Sequence, residues 1–216
     1  MDTTHLLHTR LSDRTPIDDE ELGALLHAGA DPNATDASGH TALFRAFAAN
    51  FDEATIRRLA RVTDMARAST SELTWWAVAS GRLALYLEVG GAMRPSGDEP
   101  FVHVATLGLG GMDRVPETLQ LLVALGEDPD ARYYKARTPL FRLARADHID
   151  AVRILLAAGA DPLARDAKGD TPLVKAAPRS LRALRAQVAA RAVAAAATIA
   201  KGRRGRRRGR AFVCEL

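Results

Sequence analysis

Apolar residues along this chain recur in short bursts at helical spacing, and most bursts close at a glycine. The pattern is clearest between Thr138 and Gly159. Leu140, Leu143 and Ala144 fall on one helical face. They follow Pro139, which suits a first turn because the N–H it lacks would have no intrahelical partner there. Asp147 to Ile149 interrupt the run. Val152, Leu155 and Leu156 then make the apolar face of a second helix over about 150–158, with Ile154 beside them. Gly159 closes that helix as a residue free to take positive φ. Residues 164–170, with Gly169 at the turn, predict an extended finger.

The unit then begins again. Thr171-Pro172-Leu173 repeats Thr138-Pro139-Leu140 after 33 residues. Such a period marks stacked repeats, since one unit cannot bury its apolar face alone. Leu155-Leu156 with Gly159-Ala160-Asp161-Pro162 match Leu25-Leu26 with Gly29-Ala30-Asp31-Pro32. Asp36, Gly39 and Thr41 match Asp166, Gly169 and Thr171. Thr41 and Thr138 lie 97 residues apart, close to three periods, so two weaker units fill the interval. On these residues the chain resembles an ankyrin-repeat protein. The resemblance implies an all-α repeat solenoid, a stack of helix-turn-helix units with β-hairpin fingers. About 5–6 units are expected, capping ones included.

The expected organisation is an amino-terminal capping repeat over 1–35, repeats over 36–178, a capping helix over 179–200 and a disordered basic tail over 201–216. Asp18-Asp19-Glu20-Glu21 place negative charge where a helix N-terminus favours it. Thr15-Pro16 restarts the chain just before. Trp75 and Trp76 share a first helix, so one is expected to be buried and the other groove-facing. Gly108 to Arg114 is an inserted loop. In the finger before Thr138, Tyr133 and Ala136 stand where the other fingers have Asp and Gly, which predicts a different turn.

Charge alters the picture at one end. Residues 1–178 carry a net −6 and residues 179–216 a net +10. The basic segment KGRRGRRRGR admits three readings, nucleic-acid phosphate, a nuclear address or an anionic membrane, beside the plain one of a solubilising or vestigial tail. The single Cys214 excludes an internal disulfide framework and fits a reducing compartment. No secretory leader or membrane-length apolar run is visible. The expectation is a soluble, cytoplasmic, monomeric protein. Its Ala- and Arg-rich composition resembles that of high-GC bacteria.

Catalytic chemistry finds no footing in the sequence. Gly108-Leu109-Gly110-Gly111 does not complete a dinucleotide fingerprint, and no phosphate-binding Gly-Lys-Ser/Thr follows it. The six histidines lack zinc spacing, and no serine sits in a nucleophile elbow. No cofactor, no metal and no enzymatic activity are expected.

Surface residues remain. The resemblance implies binding through finger tips and the concave face of the first helices. It places Arg45, Trp76, His103, Arg142 and Lys175 at one groove-facing position per repeat. Together they predict a basic, partly aromatic ladder suited to an acidic partner surface. Arg132, Tyr133, Tyr134 and Lys135 form a second candidate, because adjacent tyrosines on a finger tip are rigid amphipathic anchors. The function expected is a non-enzymatic protein-interaction module, an adaptor, scaffold, bacterial effector or toxin-neutralising protein. The alternative is a nucleic-acid-associated protein using Arg203, Arg204, Arg206, Arg207, Arg208 and Arg210.

Overall fold

The computed structural model describes the backbone of residues 3–12, 15, 17–95, 97–109 and 111–210, and the side chains of these apart from Ser12 and 198–210. Pro16, Ser96, Gly110 and the segment 211–216 with Cys214 lie outside the described residues. The chain divides into two compact units, residues 1–134 and 135–216.

The first unit is built from short helices in pairs. They are α1 (Thr3–Ser12), α2 (Asp19–His27), α3 (Ala42–Ala48), α4 (Glu53–Val62), α5 (Met65–Ala68), α6 (Ser71–Ala79), α7 (Leu83–Glu88), α8 (Phe101–Ala105) and α9 (Val115–Ala124). A single 3₁₀ turn, Met112–Arg114, occupies the inserted loop ahead of α9. Several helix starts are fixed by a side chain that accepts from an orphan amide of the first turn. Asp18 accepts from Glu21 N at 2.8 Å, Thr41 from Phe44 N at 3.2 Å, Asp52 from Thr55 N at 2.9 Å and Thr70 from Leu73 N at 3.1 Å. Left-handed residues stop them. Asn50 does so after α3 at φ 61° and Gly81 after α6 at φ 70°. Gly81 is needed twice over, since a Cβ there would meet Arg114 Cβ at 2.5 Å.

Within this unit the first helices pack in sequence, α1 on α3, α3 on α6 and α6 on α8. Each carries its partner, α2, α4, α7 or α9. Leu43, Phe47, Leu73, Leu83, Tyr86, Leu119 and Leu122 are fully buried along the seam. Each such side chain contributes on the order of 1.5–3 kcal/mol by leaving water. Phe47 meets the Tyr86 ring edge-on at 6.0 Å, and the Tyr86 hydroxyl donates to Ala92 O at 2.8 Å. One cation is buried with them. Arg82 is 5% exposed, and its guanidinium donates to the carbonyls of Phe51 and Asn50 in the turn between α3 and α4. Buried carbonyls of a turn need donors, and a guanidinium supplies several in one plane.

The second unit contains α10 (Pro139–Arg145), α11 (Ile149–Ala157), the single turn α12 (Pro172–Lys175) and α13 (Pro178–Arg210). α13 packs on α11, α10 and α12 through Leu184, which is fully buried. Its start is held by Asp147, which accepts from Ser180 N at 2.8 Å and pairs with Arg179 at 3.2 Å. Further along, Arg191 donates to Gly159 O at 2.8 Å and Ala160 O at 3.0 Å, capping the end of α11.

The expected β-hairpin fingers are not confirmed: among the described residues there is one isolated antiparallel bridge, Thr35 to Thr41, and no strand. The fingers are too short for a ladder, and a carboxylate takes its place. Asp36 Oδ1 accepts from Ser38 N at 2.7 Å and His40 N at 3.1 Å, while Asp36 N donates to His40 O at 2.9 Å. Asp166 does the same with Lys168 N, Asp170 N and Asp170 O at 2.8, 3.1 and 2.9 Å. Nor does the helix stop near residue 200, since α13 runs on through the segment expected to be disordered, as far as Arg210. Extending an existing helix adds a hydrogen bond per residue fixed, whereas starting one is costly. The alanine-rich stretch 189–200 and the arginines after it are good helix formers, which offsets three interspersed glycines.

Candidate protein-interaction surface

In the first unit the finger 35–41 leans on its own first helix. The Arg45 guanidinium binds the Asp36 carboxylate, which also anchors the turn. Burial alone would push the Asp36 carboxyl up. The amides of His40 and Ser38 and the Arg45 charge outweigh it, holding the group at about 2. Arg45 is therefore occupied within the chain. His103 is occupied too: its Nε2 lies 2.7 Å from Ala131 O, and its ring rests 5.8 Å from that of Tyr133. Trp75 and Trp76 are both half-buried, packed edge to face at 5.3 Å and 82°, and neither takes the fully buried place expected of one of them. The two indoles, in the second turn of α6, share a partly wet surface, and Trp75 Nε1 donates to Glu99 at 3.5 Å.

The tyrosine finger is the most exposed aromatic feature of this unit. Tyr133 is 40% exposed and Tyr134 is 68% exposed. The two residues after them, Lys135 and Ala136, both have left-handed backbones, at φ 61° and 54°. This is the altered turn that the missing Asp and Gly predict. Two non-glycine residues in that region store strain of about 1–2 kcal/mol each.

A polar cleft of about 190 Å³ in the first unit has no counterpart in the sequence reading. His40 stacks flat on Phe44 at 4.0 Å and reaches Glu72 at 3.4 Å, while the exposed Arg67 and the capping Thr41 and Thr70 complete the walls. The only sequence signal is the pair of capping threonines, which place the N-termini of α3 and α6 side by side.

In the second unit Lys175 pairs with Asp170 at 2.9 Å. Arg142 is exposed and makes no ion pair among the described residues. Arg137, which sequence reasoning passed over, joins the two fingers of this unit. Its Nε lies 3.2 Å from Asp166 Oδ2 and its guanidinium sits 5.8 Å over Phe141. Ala167 N donates to Lys135 O at 2.9 Å alongside it. Burial raises the Asp166 carboxyl, but the amides of Lys168 and Asp170 and the Arg137 charge prevail and lower it.

Of the basic, partly aromatic ladder expected from the sequence, Arg45 and Lys175 are bound to carboxylates of their own fingers. Arg142, Tyr133, Tyr134 and the exposed Arg132 and Lys135 are the residues presented outward. Among the described residues no group of three His, Cys, Asp or Glu is placed to hold a metal ion, and no helix is long and apolar enough to cross a membrane.

A family model of ankyrin repeats matches residues 103–186, with three copies. No curated protein matches the sequence. Among solved structures, the ankyrin repeat domain of Bcl-3, described as a unique member of the IkappaB protein family, is similar at 23% identity and a TM-score of 0.56. The match covers 82% of this chain and 80% of that one. The human ASB11 ankyrin repeat domain is similar at 18% identity and a TM-score of 0.50, over 84% of this chain and 96% of that one. At these identities the likeness speaks for the fold alone. Ankyrin repeats are thus recognised in residues 103–186, and over more than four fifths of its length the chain is similar in fold to ankyrin repeat domains.

Proposed function

We propose that the chain is a non-enzymatic protein-interaction module, an adaptor or scaffold, that engages its partner through the finger tip Tyr133-Tyr134. The observation that carries this reading is the pair of adjacent tyrosines, 40% and 68% exposed. Tyrosines bring large area at low entropy cost, since each has few torsions to fix on binding. The ankyrin repeats and their structural neighbours support protein binding as the general task. Arg132 and Lys135 flank the tyrosines and favour a partner with acidic groups at the rim, where charge sets on-rate and orientation more than affinity.

The test is affinity capture of a partner, followed by titration of the purified pair. Tyr133→Ala with Tyr134→Ala is expected to weaken binding by about 2 kcal/mol or more, roughly 30-fold, with an unchanged melting temperature. Arg142→Ala is expected to change affinity by less than about threefold, since it stands alone at the surface. Unaltered affinity in the double tyrosine variant overturns the assignment of this finger.

A further inference from the structure

We propose that the distal part of α13 is a binding arm for the phosphate backbone of nucleic acid, a function separate from the tyrosine finger. The sequence placed seven cations, Lys201, Arg203, Arg204, Arg206, Arg207, Arg208 and Arg210, in a segment expected to be disordered. The structure makes that segment the end of a continuous 33-residue helix. At about 1.5 Å rise per residue the helix holds these charges at about one per 2 Å of axis. Duplex DNA carries one phosphate charge per roughly 1.7 Å. An extended chain would dilute the same cations to about one per 5 Å. Helical backbone therefore brings the charge density of the arm close to that of its proposed partner.

Three further features bear on the choice of partner. No Asp or Glu occurs between Pro178 and Arg210, so no carboxylate of the same helix neutralises the run. Among the described side chains of α13, Arg191 is anchored on Gly159, Ala160 and Asp161, and residues 192–197 beyond it are exposed. Finally, residues 192–210 contain Val193 and Ile199 but no Leu, Phe or Trp. A helix lying in a membrane interface needs a large apolar face, and a protein interface needs buried anchors. Phosphate binding needs neither, because counterion release supplies the free energy.

The experiment is fluorescence anisotropy of a labelled mixed-sequence duplex of about 20 base pairs, titrated at several salt concentrations between about 50 and 200 mM. Three proteins are compared: the full chain, a chain ending at residue 200, and the full chain with Arg203→Gln, Arg206→Gln, Arg207→Gln and Arg210→Gln. With all seven cations engaged, log K against log salt falls with a slope of about −6, and with four neutralised the slope is about −3. The shortened chain loses binding while melting at the same temperature, since it keeps Leu184 and Arg191. Glutamine keeps the helix, so the four-fold variant reports on charge alone. Three results overturn the proposal: an unchanged slope in the four-fold variant, undiminished binding by the shortened chain, or tighter binding of phosphatidylserine vesicles or polyglutamate than of duplex at the same salt.

Discussion

An Asp36→Ala substitution removes the acceptor for two finger amides and the partner of Arg45 in one step. It is expected to cost about 1–3 kcal/mol, read as a lower melting temperature. The pH dependence has a definite sign. The Asp36 carboxyl sits at about 2 in the folded chain, below its unfolded value of roughly 3.9. Its contribution is therefore present above that unfolded value and fades as pH falls toward 2. Denaturation midpoints followed from neutral pH into this window should fall more steeply for the native chain than for Asp36→Asn, whose amide oxygen still accepts but does not titrate. Ala136 offers the opposite test. Its backbone is left-handed at φ 54°, so Ala136→Gly should stabilise by about 0.5–1 kcal/mol, the relieved strain less the added freedom of the unfolded chain. A thermal melt that moves down would show the turn is held some other way. At this scale the sequence was partly legible. The loss of Asp and Gly in the Tyr133 finger foretold an altered turn. The pairing of Arg45 with Asp36 and of Lys175 with Asp170 did not show, because side chains nine or five residues apart meet only once the finger folds back onto its helix.

Among the elements, α13 departs furthest from expectation, and its docking is concentrated in a few contacts. Leu184 is the fully buried apolar residue among the described side chains of α13, and Leu184→Ala should cost about 2–5 kcal/mol. Amide exchange within residues 178–191 should quicken with it; unaltered protection would mean that Asp147 and Arg191 suffice to seat the helix. The inner stripe of Leu181, Leu184 and Val188 was readable from periodicity, as were the paired helices and their glycine stops. The length of the helix was not. A run of like charges reads as unfolded by composition, and only the alanine-rich stretch before it tells that helix, once started, propagates cheaply. The fingers failed in the other direction. The family resemblance implied hairpins, whereas the five residues between Thr35 and Thr41 leave room for one bridge and an aspartate-held turn. Arg82 was invisible for a related reason, because nothing local marks an arginine that will bind the carbonyls of a turn some thirty residues upstream.

For the molecule as a whole, charge separates what the repeats do from what the end of α13 does. The chain carries a net +4, yet residues 201–216 supply seven cations and one acid, so the remaining 200 residues are left at −2. The full chain should therefore be retained on a cation exchanger at neutral pH and low salt, and a chain ending at residue 200 should pass through it. This outcome follows if the arm is the dominant cationic surface, since local charge density governs adsorption more than net charge does. Retention of the shortened chain would instead locate a second cationic face, with Arg67 and Arg142 the first residues to neutralise, as both are exposed and in no ion pair among the described residues. The same pair of chains also separates the two proposed activities. A protein partner bound through Tyr133 and Tyr134 should be captured equally by both, with weak salt dependence. Nucleic acid should follow the arm and be lost with rising salt.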